Sequence, residues 1–238
     1  MKTVFHSSSS RGHANHGWLN AKHSFSFASW YNPDRVHFGA LRVLNDDEVS
    51  PGMGFGMHPH DNMEIITIPL EGAIQHKDSM GNSAVIKAGE IQIMSAGTGI
   101  LHSEFNPKHD EALKLFQIWI IPNKRNVKPR YTQFKIDSEK MQDNFLQLVG
   151  NEINNHGSWI HQDAWLSMVE ISKNNPIEYN FNDENSGVYF MVISGKVNIA
   201  NQNLEQRDAL GVWNTNKVTI IAEESSKVLA IEVPMEIN

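Results

Sequence analysis

The chain of 238 residues carries 27 acidic against 20 basic side chains, a formal charge of −7 and 40% hydrophobic residues. That is ordinary globular material, with room for one large domain or two of about 100–120 residues. Twelve His and no Cys exclude a disulfide scaffold, a thiolate zinc site and a cysteine nucleophile, and the acidic balance without a long basic block excludes a phosphate-backbone binder.

The opening segment MKTVFHSSSSRGHANHGW has no apolar run of the length a signal peptide requires. No later stretch approaches the roughly 18–20 apolar residues of a membrane span, so a soluble, cytoplasmic protein is expected, with no membrane partner. Helical signals are sparse. Short β-rich runs bounded by Gly, Asn, Asp or Pro recur instead, the pattern of an all-β sandwich or barrel. In chain order the predicted strands of the first half are 40–44, 63–70, 83–86, 90–94 and 115–121. Residues 122–160 break the rhythm, with Pro122, Pro129 and a polar composition that includes Asn144, Asn151, Asn154 and Asn155. The second half resumes with predicted strands at 164–171, 188–193, 196–199, 210–213, 218–222 and 228–233. Two domains are therefore expected, 1–130 and 131–238. They read as a diverged repeat in which Gly72 aligns with Gly195, so each half becomes a compact antiparallel β-barrel.

The strongest local feature is GMGFGMHPHDNMEI, where His58 and His60 stand two residues apart in a β-rich run. Alternation places residues i and i+2 on one strand face, so both imidazoles can address one centre. Some forty residues on, SAGTGILHSEF offers His102 and Glu104 at the same spacing. Two such pairs make an inward cluster of three imidazoles and one carboxylate, a donor set that suits Fe, Zn, Mn, Ni or Cu and leaves positions open. Glu64 shares strand parity with His58 and His60, but a straight strand separates its Cα from that of His60 by about 13 Å at ~3.3 Å per residue. It is expected to stand behind the ligands or in a structural ion pair. His76 reads as a hydrogen-bonding turn residue. His6, His13, His16, His37, His109, His156 and His161 have no partner at ligand spacing. At the repeat offset, His58, His60 and Glu64 fall on Phe181, Asp183 and Gly187, so the second barrel is expected to lack a metal site.

Together these segments resemble the pirin family, two-domain members of the cupin superfamily. The resemblance runs from about Gly17 to Pro122, through GWLNAKHSFSFASWYNPDRVHFGALRVLNDDEV, HPHDNMEII, HKDSMGN and GEIQIMSAGTGILHSE, and continues more loosely from HQDAW onward. Where the wider superfamily carries Pro-x-Gly in its second motif, this chain has Ser95-Ala96-Gly97. The resemblance implies two tandem cupin domains, jelly-roll-like antiparallel barrels. It implies a metal held by His58, His60, His102 and Glu104, with Fe(II) foremost and Ni, Mn, Cu, Co or Zn as alternatives, and it makes Glu64 a non-ligand.

It further implies cleavage of flavonols such as quercetin by dioxygen with release of carbon monoxide. Glu104 would take the proton of the substrate 3-hydroxyl. Phe55 and Met57, from their place just before His58, are read either as an apolar lip against the planar substrate or as core packing. The alternative it carries is a metal-dependent regulatory protein that acts through a protein partner, with incidental oxygenase activity. A monomer is expected.

Overall fold

The computed structural model describes residues 1–152 and 157–237; Asn154, Asn155 and His156 lie outside the described residues. The all-β expectation holds, since the only helical elements among the described residues are short 3-10 turns at Ser8–Ser10 and Ser138–Met141. The described residues form four sheets, two of seven strands and two of four.

The chain divides into two compact units, each with one seven-stranded and one four-stranded sheet. One unit comprises Gly12–His37 and Leu41–Ile136, and the other Met1–Arg11, Phe38–Ala40 and Asp137–Asn238. Neither unit is a continuous segment, which is where they differ from the linear division 1–130 and 131–238. The edge strand Arg130–Lys135 pairs with Glu90–Ser95 in the first unit, and the edge strand Lys2–His6 pairs with Ala209–Trp213 in the second. Each barrel thus has an outer strand at the same place, taken from opposite sides of the chain.

The two kinds of sheet follow from two kinds of sequence pattern. Lys217–Ala222 alternates exposed and buried residues throughout, as a four-stranded sheet with one wet face requires. Ser186–Ser194 is buried at eight of its nine positions and reads as a near-continuous apolar run, as does Glu64–Glu71. Val188, Phe190, Val192, Leu210, Val212, Val228 and Ala230 close the core of the second unit. In the first unit Leu19, Ala21, Val49, Ile74, Ile86, Leu113 and Leu115 form one cluster, against which Trp18 and Phe55 pack.

The repeat is visible in the pairing. Gly54–His60, Ile100–Phe105, Ala73–Asp78 and Ser83–Lys87 follow one another in one four-stranded sheet, and Pro176–Asn180, Lys217–Ala222, Val197–Ile199 and Gln202–Leu204 do so in the other. Gly72 and Gly195 open the equivalent hairpins at φ +75° and +84°, a left-handed conformation that any Cβ would strain.

Candidate metal centre

The four-stranded sheet of the first unit carries the His and Glu residues. His102 lies directly across from His58 on one side and from Asp78 on the other; Glu104 lies across from Phe55 and His76; His60 lies across from Ile100. Between His102 and Glu104 the register shifts, so that three residues of Gly54–His60 span the interval that two of Ile100–Phe105 cover. This is a β-bulge at Gly56 and Met57. The extra residue lets Phe55 and His58 both face inward, whereas strict alternation would oppose them. It also turns the Gly56 carbonyl onto His58, whose Nδ1 donates to it at 2.8 Å and leaves Nε2 free.

Ring centroids lie 4.9 Å apart for His58 and His60, 4.4 Å for His58 and His102, and 4.9 Å for His60 and His102. One nitrogen of each of the three falls within 4.8 Å of the others. Trp119 meets the His60 ring edge-on at 4.9 Å, and Phe27 backs Trp119 at 5.4 Å. His102 is only 1% exposed, and neither of its ring nitrogens has a hydrogen-bond partner. A buried imidazole left so is costly unless another group engages it, so the site fits a coordinated ion. Burial, followed by the neighbouring imidazoles, lowers His102 to about 2 and burial with His58 lowers His60 to about 4, so both rings present lone pairs at neutral pH.

Glu104 reaches His102 from the interior. Its Oε2 accepts from Gln117 Nε2 at 3.0 Å, and the single Thr67 hydroxyl hydrogen is shared between Gln117 Oε1 at 2.8 Å and Glu104 Oε1 at 3.4 Å. Gln117 thus presents its N–H to Glu104 and its Oε1 to the Thr67 hydroxyl. Burial raises the Glu104 carboxyl against the opposing pull of His76 and these donors. Thr67 and Gln117 belong to a polar row in register across the seven-stranded sheet: Gln133, Gln92, Thr67, Gln117, Asn45 and His23. Paired residues share a face, so the row lines the barrel interior. His23 Nδ1 and Asn45 Oδ1 lie 2.9 Å apart, while the side-chain amide of Gln92, 1% exposed, has no partner.

The other expected residues divide. Glu64 begins a different strand, in the other sheet, after Asn62 turns the chain at φ +44°. It accepts from Ser95 Oγ at 2.6 Å and lies beside Arg130 across the same ladder, the structural role expected of it. Phe55 packs edge-on against Trp18 at 5.1 Å, and Met57 is 58% exposed on the outward face. His76 does not sit in a turn. It lies within Ala73–Asp78, completely buried, with its ring stacked on Tyr131 at 4.8 Å and its Nε2 3.1 Å from Asp78 Oδ2. The turn signal of HKDSMGN belongs to Asp78 onward, and the strand reaches His76 because Glu104 pairs with it. Thr67, Gln117 and Trp119 gave no sign of themselves in the sequence, since each stands alone in an apolar strand.

These features define a two-barrel protein of cupin type with a cluster of ligand-type side chains in the first barrel. The family model for pirin matches residues 4–120, and that for the quercetinase C-terminal cupin domain matches residues 147–233. The chain is 44% identical over 225 residues to quercetin 2,3-dioxygenase of Escherichia coli strain K12, covering 94% of this chain and 95% of that one. It is 37% identical over 222 residues to a pirin-like protein of Caulobacter vibrioides, covering 93% and 95%. The crystal structure of the bacterial pirin YhhW of Escherichia coli in complex with nickel(II) superposes with a TM-score of 0.93 at 40% identity, over 98% of this chain and 99% of that one. The chain belongs to the pirin family.

Proposed function

We propose that this protein is a metal-dependent dioxygenase that cleaves flavonols such as quercetin with dioxygen and releases carbon monoxide. One divalent transition ion is held by His58, His60, His102 and Glu104 in the first barrel. The observation that carries the reading is the convergence of His58, His60 and His102, with both nitrogens of buried His102 in want of a partner and Glu104 on its interior side. The name of the Escherichia coli relative supports the reaction, and the nickel-bound pirin supports a single transition ion. Fe(II) is the ion we favour, because imidazole with carboxylate and open positions is the donor set of oxygen-using iron sites.

When bound, the ion supplies Lewis acidity that lowers the pKa of a coordinated flavonol hydroxyl. The chain's own residues do the rest. His58, held at Nδ1 by Gly56, and His60, braced by Trp119, face the half-exposed side from which a planar substrate enters. Glu104 takes the 3-hydroxyl proton, and Gln117 and Thr67 aim its oxygens. The second barrel is read as carrying no ion, since Phe181, at the position of His58, packs into its apolar core. Glu104→Gln tests the base: the variant retains appreciable metal by elemental analysis yet loses most flavonol turnover. Undiminished turnover would assign the base elsewhere. Elemental analysis of protein isolated from its native host tests the choice of Fe(II).

A further inference from the structure

His76 has a chemistry of its own that the proposed reaction does not use. Asp78 is saturated with donors: its Oδ1 accepts from the backbone N–H groups of Met80 at 2.9 Å and Asn82 at 3.0 Å, and its Oδ2 from Asn82 Nδ2 at 2.8 Å. It is an acceptor only, so the His76 Nε2 at 3.1 Å donates to it. With Nε2–H given to Asp78, Nδ1 is the ring nitrogen left to carry a lone pair, and it is buried with no hydrogen-bond partner. His76, His102 and Glu104 each offer one ligand atom within 4.8 Å of the other two, and all three are buried. Ligand-type atoms of three side chains thus converge there, and the His76 Nδ1 and His102 ring nitrogens among them have no hydrogen-bond partner.

The charges nearby sharpen the point. Asp78, across the ladder from His102, acts on that ring as a negative charge. A positive charge between His76 Nδ1, His102 and the Glu104 carboxylate would engage one ligand atom of each. Two imidazoles and one carboxylate form the facial donor set of non-haem Fe(II) sites, whereas His58, His60 and His102 alone offer no negative charge. A carboxylate backing one ligand imidazole, as Asp78 backs His76, is also the usual arrangement behind a metal-bound His.

We propose that His76, His102 and Glu104 form a second, inner cation position for a divalent transition ion, adjacent to the outer one bounded by His58 and His60 and sharing His102 and Glu104 with it. The proposal rests on the reading of His102 and Glu104 as metal ligands. Because both positions draw on His102, they hold one ion between them, and His76 is the residue that distinguishes the inner from the outer.

The test uses metal-free full-length protein titrated with Co(II), followed by calorimetry and by the visible d–d absorption. The His58→Ala/His60→Ala variant retains one Co(II) per chain, and adding His76→Ala abolishes that binding. If the unsubstituted protein binds one Co(II) and the double variant binds none while its near-ultraviolet circular dichroism is native, the inner position is refuted and the outer reading stands. If the unsubstituted protein binds none, both readings fall. Should the double variant not fold, His76→Gln in the otherwise intact chain decides: the d–d bands shift and Co(II) affinity drops at least ~10-fold. Unchanged bands and affinity would leave His76 a packing residue and overturn the proposal.

Discussion

The Glu104 carboxylate owes its setting to residues on two other strands, Thr67 and Gln117. Gln117→Leu keeps the volume but removes the N–H that faces Oε2, leaving a buried acceptor short of its donor. We expect a loss of about 1–3 kcal/mol of stability by urea denaturation, with metal affinity falling roughly 10–100-fold as for other groups that orient a ligand. A second residue sets a pH dependence. Burial, with Asp46 and Glu104 adding to it, pushes the Asp47 carboxyl up to about 8 from an ordinary value of 3.8. The folded chain therefore keeps a proton that the unfolded chain has already released. Stability fully present at the acid end of that window is lost as the pH rises through it. In the metal-free protein, Asp47→Asn gains more stability at pH 8 than at pH 5 in parallel denaturant titrations. Equal gains at the two values would mean that Asp47 ionises normally.

At the scale of elements, the bulge in Gly54–His60 does two separable things. It accommodates one residue without reversing the faces of Phe55 and His58, and it supplies the Gly56 carbonyl that orients His58. Deleting Gly56 should restore regular pairing with His58 still inward, with metal binding weakened roughly 10–100-fold. Complete loss of binding would show that the bulge sets the facing itself. The hairpin glycines make a different prediction. At Gly72 an added Cβ would come within 2.9 Å of the Ala112 carbonyl oxygen, on a backbone at φ +75°. Gly72→Ala should cost about 1–2 kcal/mol from the left-handed conformation alone, read as a lowered Tm with the site's metal affinity retained.

Over the whole molecule, what could be read from the sequence follows from how local the signal is. The strands at Glu64–Glu71, Glu90–Ser95, Ser186–Ser194 and Ser226–Pro234 announce themselves because long apolar runs have few other uses in a chain of this composition. The repeat was visible because the same hairpin glycine recurs at Gly72 and Gly195. His58, His60, His102 and Glu104 stand in i, i+2 pairs, a spacing that strand geometry turns into a shared face. His76 has no such partner in its own strand, and its place beside Glu104 exists only through strand pairing. The polar row from Gln133 to His23 is likewise written one residue per strand, so no window of sequence contains it.

The same holds for Lys2–His6, a short and largely exposed run that gave no strand signal. Tertiary pairing with Ala209–Trp213 makes the strand, and the His6 ring meets the buried Tyr189 hydroxyl at 2.9 Å. Removing residues 1–10 should therefore uncover the Ala209–Trp213 edge and promote aggregation, detected by light scattering. A truncated chain that stays monodisperse with unchanged Tm would contradict the assignment of this strand to the second unit.

The first barrel is proposed to hold an ion with which flavonol is oxidised. This is tested most directly by loading the metal-free protein anaerobically with Fe(II), adding quercetin, admitting air, and measuring flavonol absorbance and carbon monoxide together. Absorbance decay accompanied by about one carbon monoxide per flavonol consumed is expected, and neither in the His58→Ala/His60→Ala/His102→Ala variant. Protein that holds the ion yet consumes no flavonol and releases no carbon monoxide, with Fe(II) or with Ni, Mn, Cu, Co or Zn in its place, would contradict it.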